Sequence, residues 1–239
     1  MNIYGPLREH VGIAELYQMV ELAAMLLAAG GLAVKRRLAT PDGGVLPDEG
    51  VSIRNIFEVV LDALAGQAKA TMGDQWRAYF PVVGSIFFFI LVSNLMGLVP
   101  GVGGATTDVN TALAWAIISF VVYNFVGMRT HGWKYIYQFM GPSLMEKTIG
   151  GTHYHIRLLA PIFLPLEIVL HFARILTLTV RLVANMFSDH KVIGVWLGMV
   201  PIAIPAIFMG LGLIVSVLQA FVFSLLTMIY IGLALEEPH

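Results

Sequence analysis

Six side chains that carry charge or strong hydrogen-bonding groups, Glu167, His171, Arg174, Arg181, Asn185 and Asp189, are set into an otherwise apolar run of Leu, Ile, Val, Phe, Ala and Met. On a helical wheel at about 100° per residue with Glu167 as zero, His171 falls at about +40°, Arg174 at about −20°, Arg181 at about −40°, Asn185 at about 0° and Asp189 at about +40°. All six share one stripe about 80° wide. An ionised arginine at mid-bilayer costs about 2.5–3.5 kcal/mol on insertion scales, so two on one face of an apolar helix need a reason. Glu167 is a salt-bridge candidate for Arg174. Arg181 has no acid three or four residues to either side, the spacings at which helical side chains meet. Its counter-charge must come from elsewhere, unless the side chain snorkels to a headgroup.

The element that must carry this stripe is long. Residues 166 to 200 contain no proline, while Pro161 and Pro165 precede them and Pro201 follows, as expected of the ends of a helix. One helix over that stretch measures about 52 Å at 1.5 Å per residue, against a hydrocarbon core of about 30 Å. It must tilt steeply or lie nearly in the membrane plane. A hairpin turning at Ser188 to Lys191 is the competing reading, although that segment has neither Gly nor Pro. Residues 202 to 235 form a second long apolar stretch in which Gln219, with Ser216 one turn earlier, is nearly the lone strong hydrogen-bonding side chain and needs a partner. Packed antiparallel to the first helix, it reaches the region of Arg181 and Asn185.

The rest of the chain reads as membrane too. Residues 16 to 34 make a first span, ended by Lys35, Arg36 and Arg37, which by the positive-inside rule lie on the inner side and put the N-terminus outside. Residues 39 to 52 are a loop. Residues 53 to 72 place Ile53, Ile56, Val60 and Leu64 at helical spacing, as in an amphipathic helix at the inner surface. Second and third spans follow at 79 to 99 and 111 to 128, joined by a Gly-rich outer loop. A polar connector then carries Arg129, His131, Lys134, Lys147 and Arg157, again basic and again inside. With the long helices at 163–200 and 202–236, the C-terminus lies inside. The expected fold is all-α: one polytopic membrane domain of about five membrane helices plus the interfacial helix, with the last two long, steeply tilted and antiparallel.

Composition agrees and excludes much else. Of the 239 residues 58% are hydrophobic and 12% charged, half the charged share of an average soluble domain. A formal net charge of −1 leaves no basic surface for nucleic acid. With no cysteine, disulfides and thiolate chemistry are ruled out. The first residues lack the basic stretch and cleavage site of a secretory signal, so none is expected.

These residues resemble a known family, subunit a of F-type ATP synthases. The resemblance is carried by LTVRLVANMFSDHKV, with Arg181, Asn185 and Met186, and by LQAFVFSLLTMIYIGLALEEPH around Gln219. Supporting it are FILVSNLMGLVP, with Asn94 and Pro100, and TTDVNTALAWA, with Asp108 and Asn110. It implies a membrane stator, itself non-catalytic and without cofactor or metal, whose two aqueous half-channels carry protons to and from carboxylates on a rotating ring of c subunits. Peripheral-stalk b subunits, other ATP synthase subunits and lipid are the implied partners, in an energy-coupling inner membrane, most often the bacterial plasma membrane. Arg181 resembles the family's essential arginine, which would face the ring carboxylate and supply the missing counter-charge in trans. By the same resemblance Glu167, with His171 and Arg174 near it, matches the inner half-channel, and Asn185, His190 and Gln219 match the outer one. The family usually has an ionisable residue seven positions before this glutamine. Here that position is Gly212, where a water-filled gap could substitute, with Asp189 the weaker candidate, and Met186 with its neighbours is expected to face the ring.

Two other classes were weighed. A secondary transporter of an anionic substrate would also use intramembrane arginines, but predicts a repeat symmetry the sequence lacks. An intramembrane hydrolase lacks H-E-x-x-H, G-x-S-x-G and paired aspartates, and His153 and His155 fall in the connector.

Overall fold

The computed structural model describes residues 5–38, 53–99, 104–132, 135, 145–149, 152–156, 160–199 and 203–236. The element order is α1 (Gly5–Leu38), α2 (Ile53–Met72), α3 (Trp76–Gly97), α4 (Val109–His131), β1 (Met145–Ile149), β2 (Thr152–Ile156), α5 (Ala160–Met199) and α6 (Ala203–Leu235), with 3-10 turns at Gly73–Gln75 and Ala105–Thr107. The membrane body is all-α. Among the described residues four stretches are long and apolar enough to cross a bilayer, namely Leu16–Arg36, Asn55–Gly97, Val109–His131 and Ala203–Leu235, and α5 is the further long helix that carries the polar stripe. The loop expected at 39 to 52 and the Gly-rich segment at 100–103 lie outside the described residues.

The core forms where α3, α4, α5 and α6 meet, with α2 laid against α3 and α6. Leu64, Ala68 and Met72, three to four residues apart, point the apolar face of α2 into it. From the other helices come Val83, Ile86 and Ile90, Ala112 and Ala116, Leu178 and Leu182, and Phe223 and Ile231. A Cβ built on Gly232 would stand 2.6 Å from the backbone oxygen of Thr71, so only glycine lets the end of α2 lie so close on α6. By contrast α1 touches mainly α3, and Tyr17, Met25 and Leu32 stay exposed along it, as a lipid-facing helix would have them.

Three findings go beyond the sequence expectations. First, α5 runs unbroken through Ser188 to Lys191, which settles the choice between one helix and a hairpin. At 40 residues it is about 60 Å long, twice the hydrocarbon core, and cannot stand upright in it. Second, Pro165 lies inside α5 rather than before it, because the helix begins at Ala160 and a proline that near the start forfeits only one early backbone bond. Third, the polar connector holds an antiparallel hairpin in the register Met145↔Ile156, Glu146↔His155 and Lys147↔Tyr154. Its signal is in the sequence: Gly150 and Gly151 are the residue types a two-residue hairpin loop favours.

Candidate functional site

α5 and α6 run antiparallel, as the pairs Arg174 with Tyr230, Asn185 with Gln219 and Trp196 with Phe208 record. Three regions follow one another along this pair. At the α4 end of the seam a cavity of about 80 Å³ is lined by Tyr123, Tyr135, Glu167, His171, Arg174, Tyr230, Leu233 and Ala234. Glu167 Oε1 lies 3.7 Å from an Arg174 terminal nitrogen and 3.4 Å from His171 Nδ1, which is also 2.9 Å from the Glu167 backbone oxygen. The Arg174 guanidinium sits 4.8 Å over the Tyr230 ring, within cation–π range. His171 is buried and packs edge-on to Phe120 and tilted to Tyr123. Carboxylate, imidazole and guanidinium around one polar cavity can pass or hold a proton.

Tyr135 reaches this cavity from beyond the end of α4. Its hydroxyl donates to Asn124 Oδ1 at 3.2 Å, and its ring occupies the space a side chain on Gly127 would need. Burial pushes its phenol up to about 12, so it stays neutral, and a donor, throughout the physiological range.

The middle region belongs to Arg181. It lines a second cavity, of about 230 Å³, with Leu170, Ala173, Arg174, Thr177, Leu178, Leu226 and Tyr230. Among the described residues no acid lies within ion-pair distance of it. Arg181 sits on the flank of α5 where the buried face, Leu178, Leu182 and Met186, gives way to an exposed one. Its neighbours on that flank, Thr177, Ala184 and Ser188, are small and exposed, so another helix can approach the guanidinium there. One turn on, Asn185 Nδ2 donates to Gln219 Oε1 at 3.0 Å, which supplies the partner the glutamine requires.

The third region gathers α3, α5 and α6 beyond that amide pair. Asp189 Oδ2, His190 Nε2, Ser216 Oγ and Ser93 Oγ are buried here without a hydrogen-bond partner among the described residues. A Cβ on Gly212 would stand 3.5 Å from Asp189 Oδ2 and 2.7 Å from Leu98 Cδ1. On Gly97 it would meet Met186 Cε at 2.5 Å and His190 Nε2 at 3.2 Å. Asn94 ties the wall together: its amide nitrogen donates to the Ser216 backbone oxygen at 3.4 Å, and Thr106 Oγ1 donates to its Oδ1 at 2.7 Å.

One expectation changes. Met186 is 2% exposed and inserts its methyl against Gly97, so it faces inward; on the wheel it stands about 140° from Arg181. Asp108 caps α4, accepting the Asn110 backbone N–H at 2.7 Å, and Asn110 itself is exposed. The sequence reading missed Tyr123, Tyr135 and Tyr230. Their one available signal was a phenol in an apolar helix, or next to one, which needs a wet or hydrogen-bonded end.

The sequence matches the family model described as ATP synthase A chain over residues 19–232. It is 38% identical to ATP synthase subunit a 1 of Syntrophotalea carbinolica over 97% of this chain and 90% of that one. It is 37% identical to ATP synthase subunit a of Bdellovibrio bacteriovorus over 90% of each chain. It is 38% identical to ATP synthase subunit a of Geotalea uraniireducens over 91% of this chain and 86% of that one.

Proposed function

This chain belongs to the ATP synthase subunit a family, the proton-translocating membrane stator, and on that premise we propose that Arg181 faces the carboxylates of a rotating c-subunit ring and separates two proton half-channels. The observation that carries the reading is the placement of Arg181: a cation with no acid of its own among the described residues, on a flank of small residues, between two polar regions. A carboxylate brought to that flank by a partner helix is the charge it lacks. As the carboxylate arrives, the guanidinium favours its ionised form and so releases its proton. The same cation repels a proton moving directly between the two regions. That seal matters because each charge leaking through the membrane dissipates about 2.3 kcal/mol per 100 mV. The transporter alternative has no support from the relatives.

In this reading the cavity of Glu167 and His171 is the inner half-channel and the Asp189 and His190 cluster is the outer one. Asp189 stands beside Gly212: its carboxylate lies 3.5 Å from the point where a side chain on α6 would begin, so the ionisable group comes from α5 instead. Orphaned buried acceptors at Asp189, His190 and Ser216 are the groups that water in a half-channel would bond. The Asn185–Gln219 pair lies between them and Arg181. Peripheral-stalk b subunits and the rest of the ATP synthase are further partners. The N-terminus lies outside and the C-terminus inside a bacterial plasma membrane.

Replacing Arg181 by Ala should leave the complex assembled while ATP synthesis and ATP-driven proton pumping collapse. In the same membranes, single cysteines at Thr177, Ala184 or Ser188 should crosslink to a small multi-copy subunit, against a chain free of native thiols. Coupled pumping retained in Arg181→Ala would overturn the reading.

A further inference from the structure

The two cavities that flank the middle of α5 share two lining residues, Arg174 and Tyr230. Nothing in the family reading requires that overlap, and it gives Arg174 a task different from that of a relay. From this geometry, and resting on the stator reading above, we propose that Arg174 clamped over Tyr230 is a seal that closes the Glu167 vestibule against the Arg181 groove.

Three contacts make the clamp. The guanidinium lies 4.8 Å over the Tyr230 ring, whose face attracts a cation. Glu167 Oε1 stands 3.7 Å from the same guanidinium and holds it from the vestibule side. The Tyr230 ring in turn packs against Tyr123 of α4, with centroids 5.6 Å apart, which fixes it between α4 and α5. Leu226 and Tyr230 are one turn apart on α6, the first lining the Arg181 groove only and the second lining both cavities. Leu233, on the far side of the ring, lines the vestibule only. The ring is therefore the wall, and the guanidinium places a fixed positive charge in it.

The consequence is electrostatic as well as steric. A hydrated proton or any other small cation in the Arg181 groove meets the Arg174 charge before it can reach Glu167 or His171, in surroundings where screening is weak. The charged and titratable groups facing this wall are Glu167, His171 and Arg181 of α5, Tyr123 of α4, Tyr135 of the connector and Tyr230 itself. Among them only Arg181 faces it from the groove side, and it carries the same sign. Arg174 and Arg181 thus stand in series, one turning back cations from the outer region and one from the groove. A proton reaches the vestibule when a partner's carboxylate delivers it there, and not through the groove.

The test uses the assembled ATP synthase in inverted membrane vesicles and a positively charged, membrane-impermeant methanethiosulfonate reagent. Leu226→Cys reports on the groove and Leu233→Cys on the vestibule. With Tyr230 present, the Leu226→Cys thiol should react at least about tenfold more slowly than the Leu233→Cys thiol. Tyr230→Ala should raise the Leu226→Cys rate about tenfold and leave the Leu233→Cys rate unchanged, and Tyr230→Phe, which keeps the ring, should return the original rate. Tyr230→Leu keeps bulk without an aromatic face and serves if the alanine variant fails to assemble; it should raise the rate about threefold. Equal rates at the two reporters in the parent, or a Leu226→Cys rate that ignores both Tyr230→Ala and Tyr230→Leu, would overturn the seal. Neither result bears on the stator reading, whose own failure is coupled pumping by Arg181→Ala.

Discussion

The two polar ends of the α5–α6 seam solve the problem of buried charge in opposite ways. At the Glu167 end every charge has a partner in the chain: Glu167 meets both Arg174 and His171, and Arg174 also lies on Tyr230. Aromatic rings from α4, α6 and the connector wall it in. At the Asp189 end Asp189 Oδ2, His190 Nε2, Ser93 Oγ and Ser216 Oγ have no hydrogen-bond partner among the described residues, and glycines stand at the points of closest approach. A buried polar group left unpaired costs about 1–3 kcal/mol, so the second end carries a standing penalty that water relieves. The paired end is built to hold geometry, and the unpaired end is built to stay wet. Substitutions should therefore fail differently at the two ends.

The largest effect is expected at Asp189, whose carboxylate lies beside Gly212. Asp189→Ala should lower ATP-driven pumping about tenfold or more, equivalent to at least ~1.4 kcal/mol on the limiting step, while the complex still assembles. Moving the carboxylate across the gap, with Asp189→Gly and Gly212→Asp together, should restore part of the loss, since a side chain at 212 begins 3.5 Å from the present Asp189 oxygen. The Leu98 methyl, 2.7 Å from that position, has to rotate away, so the recovery is partial. Pumping at the parent rate in Asp189→Ala, measured by quenching of a pH-sensitive dye, would erase the contrast between the ends.

Next in size is Gly97. A methyl there overlaps Met186 Cε at 2.5 Å and crowds the Gly104 backbone at 3.2 Å. The methionine can move but the backbone cannot. Gly97→Ala should therefore cost ~1–3 kcal/mol through overpacking, read as a lower thermal midpoint of the detergent-solubilised complex. It should also slow proton uptake through the outer end, because His190 Nε2 is 3.2 Å from the same point. A drop in stability with proton uptake intact would make Gly97 a packing residue only.

How much of this was legible beforehand depends on whether one residue or several elements carry the signal. The stripe from Glu167 to Asp189 could be read directly, because a helix wheel needs only spacing; the pairing of Glu167 with Arg174 lies along it, and that of Asn185 with Gln219 follows once α6 is laid antiparallel on α5. The length of α5 was legible from proline placement. What a wheel misplaces is depth: Met186 belongs to the same motif as Arg181 yet points into the core, since one residue turns the direction by about 100°. The tyrosine cavity was hidden because Tyr230 comes from α6, far in sequence from Tyr123 and Tyr135. The space for Asp189 beside Gly212 was hidden because a glycine advertises what is missing and not what fills it.

The smallest effect is expected at Tyr135, and it tests the paired end in its own terms. The hydroxyl donates a neutral hydrogen bond to Asn124, and the ring packs over Gly127. Tyr135→Phe removes the bond and keeps the ring, so the expected cost is ~0.5–1.5 kcal/mol. With its phenol raised by burial to about 12, Tyr135 holds its proton below that pH. The linkage sign follows: a group whose pKa is higher folded than unfolded contributes fully below the unfolded value and loses that contribution only as pH rises through the folded one. From pH 6 to 9 the variant should therefore pump with the parent's pH profile and differ only by a slightly lower thermal midpoint. A shifted profile in that window would mean that the phenol passes protons, and the vestibule wall would then be a participant like Asp189 rather than a fixed frame.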